Sequence, residues 1–319
     1  MPLHPQAEAV IRAVESMGLP PFETMSLEEG RGVIQAFANF MPPKEEVASV
    51  VDTVVPAEET DIPLRIYTPE GDEELRPGIL YFHGGGFSTG GIDLVDPVCR
   101  ALANRSGCAV ISVGYRLGPE HPYPAAVTDA YIATVWVHAK GPVFGIDPDR
   151  LAVMGDSAGG NLATVTCMIL RDKGEQAKIA LQVLIYPVTD LVTGESASRQ
   201  EFAEGYLLTA GMMQWFTDHY LKGCDEQAAA EPYCSPLFME NLTGLPPAII
   251  VVAEYDPLRD EGIEYATRLK DAGNFVDLRR EQGMIHGFFW LGGAIDRGRE
   301  LIDELGQDLR QSLLEAEIY

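Results

Sequence analysis

The stretch LAVMGDSAGGNL, Leu151 to Leu162, decides how the rest of this chain is read. Leu151 to Met154 form a short apolar run of the kind a buried parallel strand needs, and from Asn161 to Lys173 the pattern suits a helix. Ser157 lies between them, at the apex of a sharp strand-to-helix turn. Such a turn crowds the residues two places either side of its apex, and Gly155 and Gly159 are the residues that let it close. The hydroxyl then stands clear of the sheet. The backbone NH of Ala158 falls at the start of the helix, where unpaired NH groups favour negative charge. The expectation is a nucleophile beside an anion site. A Gly-x-Ser-x-Gly string also arises by chance in a chain with 32 glycines, so its weight comes from the flanking strand and helix.

Upstream, Gly78 to Phe82 reads as a buried strand that runs into His83-Gly84-Gly85-Gly86. Three glycines in a row pack nothing. They let the backbone approach a ligand and aim successive NH groups at one spot, as an oxyanion hole requires, although a flexible glycine turn would look the same. His83 precedes the serine and reads as a brace for the loop rather than a base. Val50 to Val55 and Ile62 to Tyr67 read as an opening antiparallel pair, and Cys108 to Val113 as a further strand. A helical pattern follows from Ala125 to His138, in which His138, like His121 before it, reads as structural. Strand and helix keep alternating through the serine turn to Ile179–Tyr186. The expected fold class is therefore α/β, with a mostly parallel central sheet covered by helices on both faces.

Downstream, Pro247 to Ala253 is an apolar strand that ends in Glu254-Tyr255-Asp256-Pro257. Asp followed by Pro also suits a helix start, and Leu258 to Ala272 has helical spacing. Position favours Asp256 as an acid over Glu254 or Asp260, because it lies just past a strand's carboxyl end, after the serine and before a candidate histidine. That histidine is His286, on the loop after a last strand, Phe275 to Arg280. His219 is the only other histidine beyond the serine, and it falls inside a helix expected from Thr209 to Leu221. A closing helix is expected from Ile295 to Ala316.

Two regions break the alternation. From Pro5 to Phe40 two amphipathic helices are expected, Ala7 to Met17 and one from about Ser26, where Ser26-Leu27-Glu28-Glu29 fits a capping box. Val33, Ile34, Phe37, Phe40 and Met41 recur at helical spacing, as a packed face or as walls of a substrate pocket. Between Asp190 and Ser235 polar turns surround the helix that carries Trp215, Phe216 and Tyr220. Residues 1–50 and 190–235 are read as a helical cap, and residues 51–189 and 236–319 as the catalytic domain.

Composition bounds the partners. A formal net charge of −25 repels phosphate backbones and acidic membrane surfaces, so neither nucleic acid nor membrane is expected as a partner. The start MPLHPQAEAV lacks the basic residues and apolar core of a signal peptide, and no stretch reaches membrane-spanning length, so a soluble cytoplasmic protein is expected. Five cysteines without a C-x-x-C pair argue against a disulfide framework and a zinc site; Cys224 and Cys234 could pair, but free thiols are expected. A last strand left at the sheet edge can pair with its copy in a homodimer.

With these motifs assembled, the chain resembles the bacterial hormone-sensitive-lipase family of carboxylesterases, within the α/β-hydrolase fold, over almost its whole length. His83-Gly84-Gly85-Gly86 is similar to the family's oxyanion motif, Gly155-Asp156-Ser157-Ala158-Gly159-Gly160 to its nucleophile motif, Asp256-Pro257-Leu258-Arg259-Asp260 to its acid segment and His286-Gly287-Phe288 to its histidine segment. The resemblance implies a triad of Ser157, Asp256 and His286, and an oxyanion hole from the NH groups of Gly85, Gly86 and Ala158. It implies a small-molecule ester as substrate and requires no metal or organic cofactor. Substrate contacts are expected from Phe37, Phe40, Phe216 and Phe288, in a pocket suited to short-to-medium acyl chains. An amidase, deacetylase or lactonase would use the same residues. A ligand-binding receptor of this fold, like the plant gibberellin receptors, would lack the catalytic histidine, whereas His286 is present.

Overall fold

Alternation of apolar side chains along the strands sets the layers. In β3 (Arg76–Phe82), Ile79 and Tyr81 enter one buried cluster while Leu80 and Phe82 enter another. Val110 against Ile111 and Met154 against Val153 do the same in the neighbouring strands. Successive residues of a strand point to opposite faces, so a sheet apolar on both must be covered on both.

The computed structural model describes residues 2–192 and 196–314. In chain order its helices and strands are α1 (Pro5–Ser16), α2 (Leu27–Ala36), β1 (Ser49–Val55), β2 (Ile62–Thr68), β3, α3 (Ile92–Ser106), β4 (Ala109–Val113), α4 (Ala125–Lys140), β5 (Ile146–Asp156), α5 (Ala158–Lys173), β6 (Ile179–Ile185), α6 (Ala197–Glu201), α7 (Ala210–Tyr220), β7 (Ala248–Tyr255), α8 (Arg259–Asp271), β8 (Val276–Ile285) and α9 (Asp296–Leu314), with short 3-10 turns between some of them. The strands form one eight-stranded sheet in the order β1-β2-β4-β3-β5-β6-β7-β8. Only the pairs β1–β2 and β2–β4 are antiparallel, as the opening pair leads one to expect. Helices α3 and α9 cover one face with α1 and α2 beside them, and α4, α5 and α8 cover the other. Parallel strands β3, β5, β6 and β7 bring their carboxyl ends to one edge, where this architecture places ligands.

Local signals account for most element ends. Ser26 and Glu29 form the capping box at the start of α2, and Thr209 caps α7 by accepting from the NH of Met212. The structure departs from the sequence reading in several places. Helix α3 is absent from that reading because its N-cap, Gly91, offers no side-chain cap and Pro97 lies inside it. Helix α5 begins at Ala158, where the sequence reading puts the first helical NH, whereas β5 begins at Ile146 rather than Leu151. Strand β8 continues past Arg280 to Ile285, through Gly283, which takes φ +73°. The short helix α6 lies within the insertion. The expected end of the closing helix at Ala316 lies outside the described residues.

All five cysteines are free, Cys224 and Cys234 included. Among the described residues no helix is long and apolar enough to cross a membrane.

Candidate active site

Between β5 and α5 the chain reverses over a single residue. Ser157 takes φ +55° and ψ −119°, a conformation that costs a non-glycine residue about 1–3 kcal/mol and persists only when its surroundings over-determine it. Those surroundings are visible. The Ser157 NH donates to the Ile185 carbonyl at 2.8 Å, and the Ser157 carbonyl accepts from Asn161 and Val188, each at 3.2 Å. A Cβ on Gly159 would lie 1.9 Å from the Phe82 carbonyl oxygen, and one on Gly155 would lie 2.3 Å from the Gly159 carbonyl. Close approach of three backbone segments therefore dictates both glycines.

From the end of β8, His286 reaches the serine: its Nε2 lies 3.0 Å from Ser157 Oγ. Its Nδ1 lies 2.8 Å from Asp256 Oδ2, on the turn after β7. A proton on Nδ1 donates to the carboxylate, which leaves Nε2 to accept from the serine hydroxyl. Asp256 is fully buried, and its second oxygen accepts from the Leu258 NH at 2.8 Å. The residues weighed against it go elsewhere: Glu254 accepts from the Gly283 NH at 2.7 Å and Asp260 from the Ser198 NH at 2.8 Å. His219 bonds the Trp215 carbonyl through Nδ1 within α7.

The glycine loop after β3 is tied to the serine turn by a residue that sequence reasoning passed over. Asp156 Oδ1 accepts from Tyr81 OH at 2.7 Å and from the Gly84 NH at 3.0 Å. Burial pushes its carboxyl up, and these donors oppose the shift. His83 braces the same loop. Its Nδ1 meets the Gly84 carbonyl at 2.7 Å, its ring stacks on Tyr115 with centroids 4.3 Å apart, and burial lowers its pKa to about 4. Among the described residues the NH groups of Gly85, Gly86 and Ala158 have no hydrogen-bond acceptor.

Over Ser157 and His286 lies a cavity of about 520 Å³. Its walls are mostly apolar and come from α1, α2, α7 and the loops around them, with Phe37, Met212, Phe216 and Trp290 among them. The N-terminal arm and the insertion meet there. Trp215 Nε1 donates to the Met25 carbonyl at 3.0 Å, and its ring packs edge-on against Phe22 at 4.9 Å. The insertion is also pinned from below by fully buried Glu261, which pairs with Arg199 at 2.6 Å and accepts from the Thr189 NH at 2.7 Å. Burial raises the pKa of this carboxyl to about 7.

Two of the four phenylalanines expected in the pocket are elsewhere. Phe37 and Phe216 line the cavity, but Phe40 and Phe288 do not. Phe40 sits one 3-10 turn beyond Phe37 and faces a neighbouring cavity. Phe288 is fully buried against Tyr186, with ring centroids 5.9 Å apart, because Gly287 at φ +84° turns the chain into the core. Trp290 takes the wall position instead. Tyr186, with its ring 4.5 Å from that of His286, was also missed, although the carboxyl end of a parallel strand is where such residues are sought.

Comparisons with known proteins place the chain by family and fold. A family described as the α/β hydrolase fold matches residues 79–290. The chain is 44% identical over 283 residues to the carboxylic ester hydrolase LipN of Mycobacterium tuberculosis, across 86% of this chain and 74% of that one. It is 35% identical over 321 residues to an ethyl acetate hydrolase of Pseudomonas putida, across 98% of this chain and 100% of that one. The solved structure of a hyperthermophilic esterase from the archaeon Pyrobaculum calidifontis superposes with a TM-score of 0.91 at 40% identity, over 98% of this chain and 99% of that one. The chain belongs to the α/β-hydrolase fold family and, as its motifs indicate, to the hormone-sensitive-lipase branch of it.

Proposed function

We propose that this protein is a serine carboxylesterase that hydrolyses short-to-medium-chain acyl esters of small molecules. The observation that carries the reading is the continuous relay from Ser157 Oγ to His286 Nε2 at 3.0 Å and from His286 Nδ1 to Asp256 at 2.8 Å, at the floor of an apolar cavity. His286 takes the hydroxyl proton as Ser157 attacks the ester carbonyl, and Asp256 steadies the imidazolium that forms. The developing oxyanion is held by the NH groups of Gly85, Gly86 and Ala158, which are free of other acceptors among the described residues. On collapse His286 returns the proton to the departing alkoxide. Water then attacks the acyl-enzyme with His286 again as base, which releases the acid and restores the serine. The names of the relatives, carboxylic ester hydrolase and ethyl acetate hydrolase, support the choice of ester.

Selectivity must come from the cavity, because the triad treats all acyl groups alike. Each methylene that finds room gains about 0.8 kcal/mol, so activity rises from acetyl towards butyryl or hexanoyl esters. Beyond that length the helices over the cavity obstruct the chain. β8 is the last strand of the sheet among the described residues, and a homodimer through it is part of the same reading. Measuring kcat/KM across p-nitrophenyl esters from acetyl to palmitoyl tests the reading. An optimum at four to six carbons is expected, and an optimum at the long end or no ester hydrolysis overturns it.

A further inference from the structure

Beside the cavity over Ser157 lies a second one of about 350 Å³, between α1 and α2. Val14, Leu19, Pro20, Met25, Val33 and Phe37 line both, so the partition between the two is one layer of side chains thick. Phe37 is the largest member of that layer. Its ring is held edge-on to Trp290, with centroids 5.8 Å apart, and it is only 7% exposed. The annex offers a ligand almost nothing polar. Its one charged wall residue, Glu29, is engaged with the NH and the hydroxyl of Ser26, each at 2.8 Å. The annex opens to solvent past Met17, Leu19, Gly32 and Ala36, which are exposed, and its apolar wall accepts hydrocarbon and little else.

We propose that the annex is an apolar subsite for the far end of an acyl chain too long for the main cavity, and that Phe37 is the partition that separates the two. The inference rests on the carboxylesterase reading above and extends it. The occupant follows from continuity: a chain esterified at Ser157 that grows along the apolar wall meets the shared layer first, and the space behind that layer is again apolar. The same ring then sets the length at which activity falls off in the wild-type protein.

The test removes the partition and then refills the annex. In Phe37→Ala the ratio of kcat/KM for p-nitrophenyl decanoate to that for p-nitrophenyl butyrate should rise at least about tenfold over wild type, since each methylene taken from water into the annex is worth about fourfold. A Cβ at Gly32, on the annex wall, would meet nothing within 4 Å, so a larger side chain there enters free space. Adding Gly32→Phe to Phe37→Ala should bring the ratio back towards wild type. Removing a ring from a packed wall can unfold the arm, so Phe37→Leu is made in parallel and should shift the ratio in the same direction, by less. An unchanged or lowered ratio in a folded Phe37 variant overturns the proposal, as does a raised ratio that Gly32→Phe leaves untouched. Wild-type turnover of butyrate without the shift sinks this inference alone. No ester hydrolysis by wild type sinks the carboxylesterase reading and this inference with it.

Discussion

Gly84 and Asp156 are joined by a 3.0 Å hydrogen bond from backbone NH to carboxylate across 72 residues of sequence. The residue directly before Ser157 thus fixes the glycine loop whose NH groups are proposed to hold the oxyanion. An acceptor is what this position needs, more than a charge, because the Tyr81 hydroxyl and the Gly84 NH both donate to one oxygen. Asp156→Asn, which keeps such an oxygen, should retain most of its turnover. Asp156→Leu leaves both donors unpaired and the loop untethered, and should lower kcat by about 10- to 100-fold with a smaller change in KM, less than or equal to the loss of an oxyanion donor itself. Steady-state kinetics of the two variants on p-nitrophenyl butyrate check this. Equal loss in both would mean that charge, rather than loop position, matters.

Asp256 bonds both the imidazole and a backbone NH at the entry to α8. Asp256→Asn keeps an acceptor for the Leu258 NH and so should leave the melting temperature nearly unchanged. It removes the charge that steadies the imidazolium, and turnover should fall by about 10⁴-fold. A variant that melts early and retains its activity would make Asp256 a turn-former only.

His83 gives the fold a pH dependence of known sign. Its folded pKa is pushed down to about 4 by burial, while the unfolded value is near 6.5. Between these values the unfolded chain binds the extra proton, so stability falls as pH drops. From pH 7 to pH 5 this one group should cost about 2 kcal/mol. Glu261, with its folded pKa raised to about 7, acts oppositely and makes the fold less stable as pH rises from about 4.5 to 7. The two oppose each other between pH 5 and pH 7, so urea unfolding of wild type and of His83→Gln at both pH values is needed to isolate the His83 part. His83→Gln, which cannot be protonated, should lose about 2 kcal/mol less than wild type on acidification. An identical loss in both proteins would mean that His83 is not held neutral.

The parts of the site that are legible in the sequence are those dictated by backbone crowding within one turn. Gly155, Ser157 and Gly159 are legible because the Phe82 and Gly159 carbonyls leave no room for a Cβ, and His83 to Gly86 because a glycine run at a strand end has few other uses. The strands are legible because two covered faces require unbroken apolar runs. What stays hidden depends on contacts between segments far apart in sequence. The role of Asp156 appears only when β3 and β5 lie side by side with Tyr81 opposite Met154. Phe288 and Trp290 cannot be told apart before the turn at Gly287 is known, and nothing about Phe40 says that one 3-10 turn carries it out of the cavity. Helix α3 has no side-chain cap at Gly91 and carries Pro97 inside it, so the usual signals of a helix are missing from a segment that packs on the sheet.

Turnover of p-nitrophenyl butyrate by Ser157→Ala, with folding verified by circular dichroism, tests the account most directly. Removal of the hydroxyl leaves His286, Asp256 and the loop of glycines in place but deletes the atom that forms the acyl-enzyme. Turnover should fall by about 10⁶-fold with the fold intact. Near-wild-type hydrolysis by the folded variant would contradict a serine-based mechanism at this site.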